Sequence, residues 1–352
     1  MLLDKTQLGS VELSNRMIMA PLTRARADAG HMPNNLMAEY YAQRASAGLI
    51  ITECTMIAPG TSAFVSEPGI YNDEQINAWK KTTDAVHAAG GKIFMQIWHS
   101  GRAAHPLMNN GTENVGPSAI AIDGEVHTPK GKAANTEPRA LREDELPTIV
   151  VAFKQAALNA IEAGFDGVEV HGANGYLLDA FLRDGSNKRE DAYGGSLENR
   201  ARLLLEVLKA VTGAIGAGRV GVRLSPLNSY NSMRDGDPVA LVSYLAEQLN
   251  QLDLAYVHLM RADFFNQQEA DVVTPVRQNF KGNLMLNMGY SADEAEQVVK
   301  DGQADFVAFG TGFLANPDLP ARVKAGAEWN TPNPDTFYTP GAKGYTDYPT
   351  MD

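Results

Sequence analysis

Cysteine occurs once in these 352 residues, at Cys54, so no disulfide can close within the chain. Its context, Leu49-Ile50-Ile51-Thr52-Glu53-Cys54, reads as an apolar strand. A small, partly buried residue is the ordinary role for such a thiol, and a redox role is the lesser reading. Positive charge is also scarce, with 30 Lys and Arg against 42 Asp and Glu and a net charge of −12. That balance argues against broad nucleic-acid binding and against docking on anionic membranes. An anionic ligand would have to be held by particular arginines and backbone amides. No apolar run approaches the roughly 20 residues of a membrane span. Met1-Leu2-Leu3-Asp4-Lys5 lacks the basic region and apolar core of a signal peptide. The chain reads as a soluble, cytoplasmic protein, and with 44% hydrophobic residues it is long enough to bury a large core.

What is present is a repeated unit. A helix-like segment closes on Ala or Gly, and a short β-branched strand follows. Ala47-Gly48 precedes Leu49–Thr52, Ala89-Gly90-Gly91 precedes Lys92–Trp98, Ala163-Gly164 precedes Gly167–His171, and Gly216-Ala217-Gly218 precedes Val220–Leu224. Leu254–Leu259, Asn283–Asn287 and Ala304–Gly310 continue the series, and Arg16–Ala20 begins it. Eight strands separated by helices imply parallel pairing through right-handed crossovers. They predict an α/β fold, a (β/α)8 barrel spanning residues 1–352 as one domain. An open α/β sheet is the alternative, but it would carry a nucleotide loop after its first strand, where this chain has Pro21-Leu22-Thr23-Arg24. Gly216-Ala217-Gly218-Arg219-Val220-Gly221 matches GxGxxG by letters, yet it precedes a strand and reads as a helix stop. Two segments exceed a minimal barrel. Residues 99–140, after the third strand, are rich in Gly, Pro and Asn and predict a lid or subdomain over the site. The irregular tail 330–352 carries Phe337, Tyr338, Tyr345 and Tyr348, which predict that it packs on the body.

In such a barrel the C-terminal strand ends face the site. Read in order, they are Pro21-Leu22-Thr23, Glu53-Cys54-Thr55, Gln96-Ile97-Trp98-His99, His171 with Asn174, Arg223-Leu224-Ser225-Pro226, and His258. The set holds hydrogen-bond donors, one fixed cation and an aromatic wall. It lacks the paired carboxylates of a glycosidase and the His/Asp/Glu cluster of a metal site. No HExxH occurs among the seven histidines, so no metal is expected. Val168-Glu169-Val170-His171-Gly172-Ala173-Asn174-Gly175-Tyr176 is the most informative stretch. Its imidazole and carboxamide are two donors suited to a developing oxyanion, and its phenol is a candidate acid. Taken alone, the same stretch could merely cap a strand. After the seventh and eighth strands come Asn287-Met288-Gly289-Tyr290-Ser291 and Gly310-Thr311-Gly312, the usual place for a phosphate in this fold. Ser291, followed by Ala292-Asp293-Glu294, has the form of a helix N-cap. A flat, phosphate-bearing heterocycle such as FMN suits these residues, and a phosphorylated sugar remains the alternative.

Longer motifs carry a resemblance. Met19-Ala20-Pro21-Leu22-Thr23-Arg24, Glu39-Tyr40-Tyr41-Ala42-Gln43-Arg44-Ala45, Gln96-Ile97-Trp98-His99-Ser100-Gly101-Arg102 and Val170–Leu177 occur in that order. Tyr193-Gly194-Gly195-Ser196-Leu197-Glu198-Asn199-Arg200, Arg223-Leu224-Ser225-Pro226, Ala315-Asn316-Pro317-Asp318-Leu319 and Gly344-Tyr345-Thr346-Asp347-Tyr348-Pro349 follow. Together they resemble the Old Yellow Enzyme family of FMN-dependent ene-reductases, N-ethylmaleimide reductase-like and of the threonine-type branch. The resemblance implies non-covalent FMN, reduced by NADPH or NADH, and hydride transfer from the flavin to activated alkenes such as enones, enals, maleimides and nitroalkenes. It implies that Thr23 binds the flavin C4 carbonyl, Gln96 the pyrimidine edge, and that Arg223 stabilises charge near N1. Pro21, Leu22 and Cys54 would lie against the cofactor, with Asn287, Met288, Gly289, Gly310 and Thr311 on its phosphate side. His171 and Asn174 would bind the substrate oxygen and Tyr176 would protonate the α-carbon. Trp98, Phe64, Tyr230 and Tyr338 would shape the pocket. The protein would act as a monomer or homodimer on small molecules, with no nucleic-acid or membrane partner.

Some positions vary within the family pattern. Thr311 stands where many relatives carry arginine, leaving backbone amides, the Thr311 hydroxyl and a residue from elsewhere for the phosphate. Asn174 stands where some relatives have a second histidine, so only one member of the donor pair can change charge. Cys54 lies where relatives place a small residue, and the redox-tuning cysteine of another branch would be at Thr23. A lyase or isomerase on the same barrel would need a lysine or carboxylate base at a strand end, which is not found. A catalytically silent flavin protein is the remaining alternative.

Overall fold

Eight short strands built from β-branched and large apolar residues close into a parallel barrel in the computed structural model, which describes residues 1–351. They are β1 (Met17–Met19), β2 (Leu49–Ile51), β3 (Ile93–Trp98), β4 (Gly167–Gly172), β5 (Val220–Leu224), β6 (Tyr256–Met260), β7 (Leu284–Asn287) and β8 (Phe306–Phe309). Each pairs in parallel with its neighbour, β8 with β1 and β3 with β4, so the sheet has no free edge among these strands. The predicted (β/α)8 architecture is therefore observed.

Alternation along the strands sorts side chains into two cores. Val168, Val170, Val222, Leu259 and Leu286 point outward into the layer between strands and helices. Ile18, Leu49, Phe94, Tyr256, Met285 and Phe306 fill the barrel interior. An N-terminal hairpin, Thr6–Leu8 against Val11–Leu13, adds Leu8, Val11 and Leu13 to that inner core and plugs the end of the barrel away from the site. Sequence reasoning had not picked out this hairpin.

Helices are stopped and started by the residues their chemistry favours. Ser196 accepts from the Asn199 amide to open the helix Leu197–Ile215, which buries the stripe Leu204, Val207, Leu208 and Val211 and stops at Gly216 with φ +87°. Ser291 caps Ala292–Lys300 as its sequence predicts, accepting from the Glu294 amide. Each such cap contributes about 1 kcal/mol.

Two strand assignments change. The second strand stops at Ile51, short of the predicted Cys54. Thr52 still donates its amide to the Phe94 carbonyl, but the Glu53 amide turns to the Tyr41 hydroxyl while its carboxylate takes the Arg24 and Ala25 amides. The sixth strand runs on to Met260, so His258 is a mid-strand residue inside the barrel and not a strand end. Residues 99–140 carry an exposed hairpin, Glu125–Thr128 with Gly131–Ala134. The tail is fastened by Tyr345, which stacks on Tyr40 at 4.0 Å.

Candidate active site

β4 ends in a loop whose backbone only particular residues tolerate. Asn174 has φ +57° and Gly175 φ +74°. A Cβ at Gly175 would approach Met233 Cγ at 2.6 Å and Asn231 Cβ at 2.7 Å, so glycine is required there. Asn174 suits a left-handed position better than most side chains. Tyr176 then opens the short helix Leu177–Leu182.

This loop sets out donors in fixed orientations. His171 Nδ1 accepts the Ala173 amide at 3.3 Å, which assigns the proton to Nε2. Burial, with Arg223 and His258 nearby, holds its imidazole well below the usual histidine range, so the ring is neutral. Asn174 Oδ1 accepts from Asn228 Nδ2 at 2.8 Å. Asn228 Oδ1 in turn takes the amides of Tyr230 and Phe264, so its own NH2 must face Asn174. The Asn174 NH2 is thereby left to donate, and its backbone is tied by Ser225 Oγ and Asn231 Nδ2. Burial, then the phenols Tyr230 and Tyr338 and the Cys54 thiol, push the Tyr176 phenol well above 10, so it keeps its proton. Its ring meets Trp98 and His171 edge to face, at centroid distances of 5.0 and 5.1 Å.

Trp98, Tyr176 and Cys54 form one apolar cluster with Met56 and Ile122, against which Phe64 and Tyr230 pack. Phe64, Tyr176, Tyr230 and Tyr338 line a cavity of about 1080 Å³, to which the excursion after β3 contributes Ile120, Ile122 and Val126. Thr23 Oγ1 lies 3.2 Å from Cys54 Sγ, whose thiol is pushed up by burial. Pro21 is buried as well.

Polar groups are gathered on the neighbouring strands. Gln96 and Arg223 are 2% and 6% exposed, which rules out bulk solvent as the counterpart of their polar groups. Arg223 Nη2 donates to Asn287 Oδ1 at 3.0 Å, while Arg223 Nε and Trp98 Nε1 have no partner among the described residues. A buried guanidinium with an idle N–H is costly unless a ligand completes it. Asn287 is held by donating to the Ala308 carbonyl at 2.7 Å. Met288 and Gly289 follow with φ +98° and +71°, and Gly310-Thr311 leave the adjoining strand beside Leu22. Positive-φ turns of this kind can present amides to an anion, so the residues present fit a flavin mononucleotide: donors for a ring edge and a polar loop pair for a phosphate.

Several partners escaped sequence reasoning. Arg261, just past β6, donates to the Met288 carbonyl and Glu294 and lies 3.6 Å over the Tyr290 ring, bracing the loop after β7. It is the nearest answer to the missing arginine at Thr311, though its donors are already engaged. Asn228 gave no local signal, because it meets Asn174 across 54 residues. Glu169 did have one: a carboxylate between two valines of a barrel strand must find a buried partner. Among the described residues no group of three or more His, Cys, Asp or Glu is placed to hold a metal ion, and no helix is long and apolar enough to cross a membrane.

Known proteins share this architecture along nearly the whole chain. A family described as "NADH:flavin oxidoreductase / NADH oxidase" matches residues 2–330. A probable flavin mononucleotide-dependent alkene reductase of Leishmania infantum is 50% identical over 353 residues, covering 98% of this chain and 96% of its own. The solved old yellow enzyme from Trypanosoma cruzi is 44% identical with TM-score 0.97, covering 100% of this chain and 99% of that one. Morphinone reductase in complex with tetrahydroNAD is 46% identical with TM-score 0.95, covering 100% and 98%.

Proposed function

Because the chain belongs to the NADH:flavin oxidoreductase / NADH oxidase family, the Old Yellow Enzyme family that its motifs resemble, we propose that it is an FMN-dependent NAD(P)H oxidoreductase that reduces the C=C bond of activated alkenes. The observation that carries this reading is the oriented pair of neutral donors, His171 Nε2–H and the Asn174 amide, on the same strand-end loop as a protonated Tyr176 that lines the large cavity.

Gln96 and Arg223 would hold the polar ring edge of the FMN, with Thr23, Pro21, Leu22 and Cys54 as its further neighbours. Asn287, Met288, Gly289, Gly310 and Thr311 receive the phosphate side, with Arg261 bracing that loop. Thr23 at this position supports a place in the threonine-type branch. When bound, FMN would supply the hydride-transfer chemistry that links NADPH or NADH to an activated alkene. His171 and Asn174 donate to the carbonyl or nitro oxygen of the alkene and draw electron density from its β-carbon. Preorganised neutral donors do this without reorientation, and removing one such donor costs about 10²–10³ in rate. Tyr176 gives its proton to the α-carbon. Trp98, Phe64, Tyr230 and Tyr338 exclude water and shape the substrate, under a roof supplied by residues 99–140. Nicotinamide and alkene use this one cavity in turn. The single cysteine suits a cytoplasmic place of action, and the working form is a monomer or homodimer.

The purified protein is expected to be yellow, to bleach with NADPH and to regain its colour with cyclohexenone. A protein that takes up no FMN would sink the proposal. Tyr176→Phe is expected to slow alkene reduction about 10²-fold or more while leaving flavin reduction by NADPH unchanged. Equal slowing of both half-reactions would remove Tyr176 from its role.

A further inference from the structure

Glu169 occupies an inward position of β4 and is fully buried, between Gln96 on β3 and His258 on β6. One carboxylate oxygen accepts from Gln96 Nε2 at 2.8 Å, and the other from His258 Nδ1 at 2.8 Å. Burial alone would raise this carboxyl, but His258, Arg223 and Gln96 outweigh it and hold it below the usual range. His258 is moved down, chiefly by burial, and its Nε2 has no partner among the described residues. A neutral imidazole donating through Nδ1 fits both facts, because an idle lone pair costs less than an idle N–H. The Tyr256 phenol, packed nearby, is pushed well above its ordinary range by burial and by Glu169, and so stays neutral. This layer of the barrel therefore holds one anion, Glu169, and one cation, Arg223.

Two consequences follow from elementary chemistry. A carboxylate only accepts, so Gln96 must turn its NH2 toward Glu169. Its carbonyl oxygen and second N–H are then left to face the site, an acceptor beside a donor. That pair complements an imide edge, which offers an N–H beside a C=O. The second consequence is electrostatic. In a low-dielectric interior the Glu169 charge would offset much of the field that Arg223 exerts on a bound ring.

Resting on the FMN reading, we propose that Glu169, held by His258, is a positioning residue for the cofactor. It orients Gln96 toward the imide edge of the flavin, and its charge keeps the potential of the bound flavin below the value Arg223 alone would set.

Two variants separate the parts, read by FMN affinity of the apoprotein and by the midpoint potential of the loaded protein. Glu169→Gln keeps an acceptor for Gln96 and removes the charge. Oxidised FMN should bind nearly as before, while reduced FMN tightens about tenfold, a rise of about 30 mV for a two-electron couple. Glu169→Asp keeps the charge and draws it away from Gln96, so FMN affinity should fall about tenfold with the potential unchanged. An unchanged potential in folded, yellow Glu169→Gln protein would overturn the proposal, as would identical behaviour of the two variants. Wild-type protein that binds no FMN would defeat the functional reading instead. Should either variant fail to fold, wild type is titrated with 3-methyl-FMN, which has no imide N–H to give Gln96. Affinity weaker by tenfold or more supports the arrangement, and affinity equal to that of FMN overturns it.

Discussion

Single side chains decide how strongly this site can polarise a substrate. His171, Asn174 and Tyr176 could be nominated from the sequence because one contiguous stretch carries all three. Their protonation and orientation were not, because these are set by residues from other strands. Asn228 is the clearest case. It pins the Asn174 carbonyl oxygen, and without it the amide is free to turn its acceptor toward the substrate oxygen. Asn228→Ala is expected to lower kcat/KM for cyclohexenone roughly three- to tenfold, the value of one hydrogen bond of about 1 kcal/mol. In an Asn174→Ala background the same change should cost nothing more. Additive losses from the two substitutions would show that Asn228 acts by another route.

Among the elements, the eight strands were readable because a glycine stop followed by a β-branched run is a local signal. The breaks were less so. Glu53 leaves β2 because its carboxylate satisfies amides of the chain after β1, a need no local pattern expresses. The tail illustrates the same division. Its aromatics announce packing, yet its fastening is done by two buried arginines far away in sequence. Arg24 donates to the carbonyls of Phe337 and Gly344, and Arg26 to those of Thr336 and Phe337. Irregular backbone has no ladder to satisfy its carbonyls, so the guanidinium groups stand in for one. Arg26→Met removes one donor from each of the Thr336 and Phe337 carbonyls, leaving them the Thr339 hydroxyl and Arg24, at a cost of about 1 kcal/mol or more. The expected result is a Tm lower by a few degrees and new protease cleavage confined to residues 336–344. Cleavage spread over the barrel would mean that the arginine supports the whole fold.

For the molecule as a whole, burying titratable groups makes stability depend on pH in opposing directions. Burial brings His99 down to about 4, so the native state refuses a proton that the unfolded chain accepts near 6.5. This contribution is fully present above pH 6.5 and is lost as pH falls toward 4. Glu53, raised by burial to about 7, and Asp179, raised by burial to about 6, act the other way. Their native forms take protons earlier than the unfolded chain does, so they add stability as pH falls through those values. The His99 contribution is therefore read as a difference. Between pH 7 and 4, wild type should lose about 3 kcal/mol relative to His99→Asn in denaturant titrations. A difference independent of pH would show that His99 is charged in the native state.

Composition and glycine-stopped strands were enough to determine the barrel, and one strand-end loop was enough to nominate three candidate residues, whose roles came from the family resemblance. Those features are local, and periodicity and spacing record them. Only the closed barrel decided that Glu169 meets Gln96 and His258, that Asn228 aims Asn174, and that Arg261 braces the loop after β7. Such contacts join strands far apart in the chain. Their energies come from desolvating charges and donors against one another, which happens only once the sheet has closed around them.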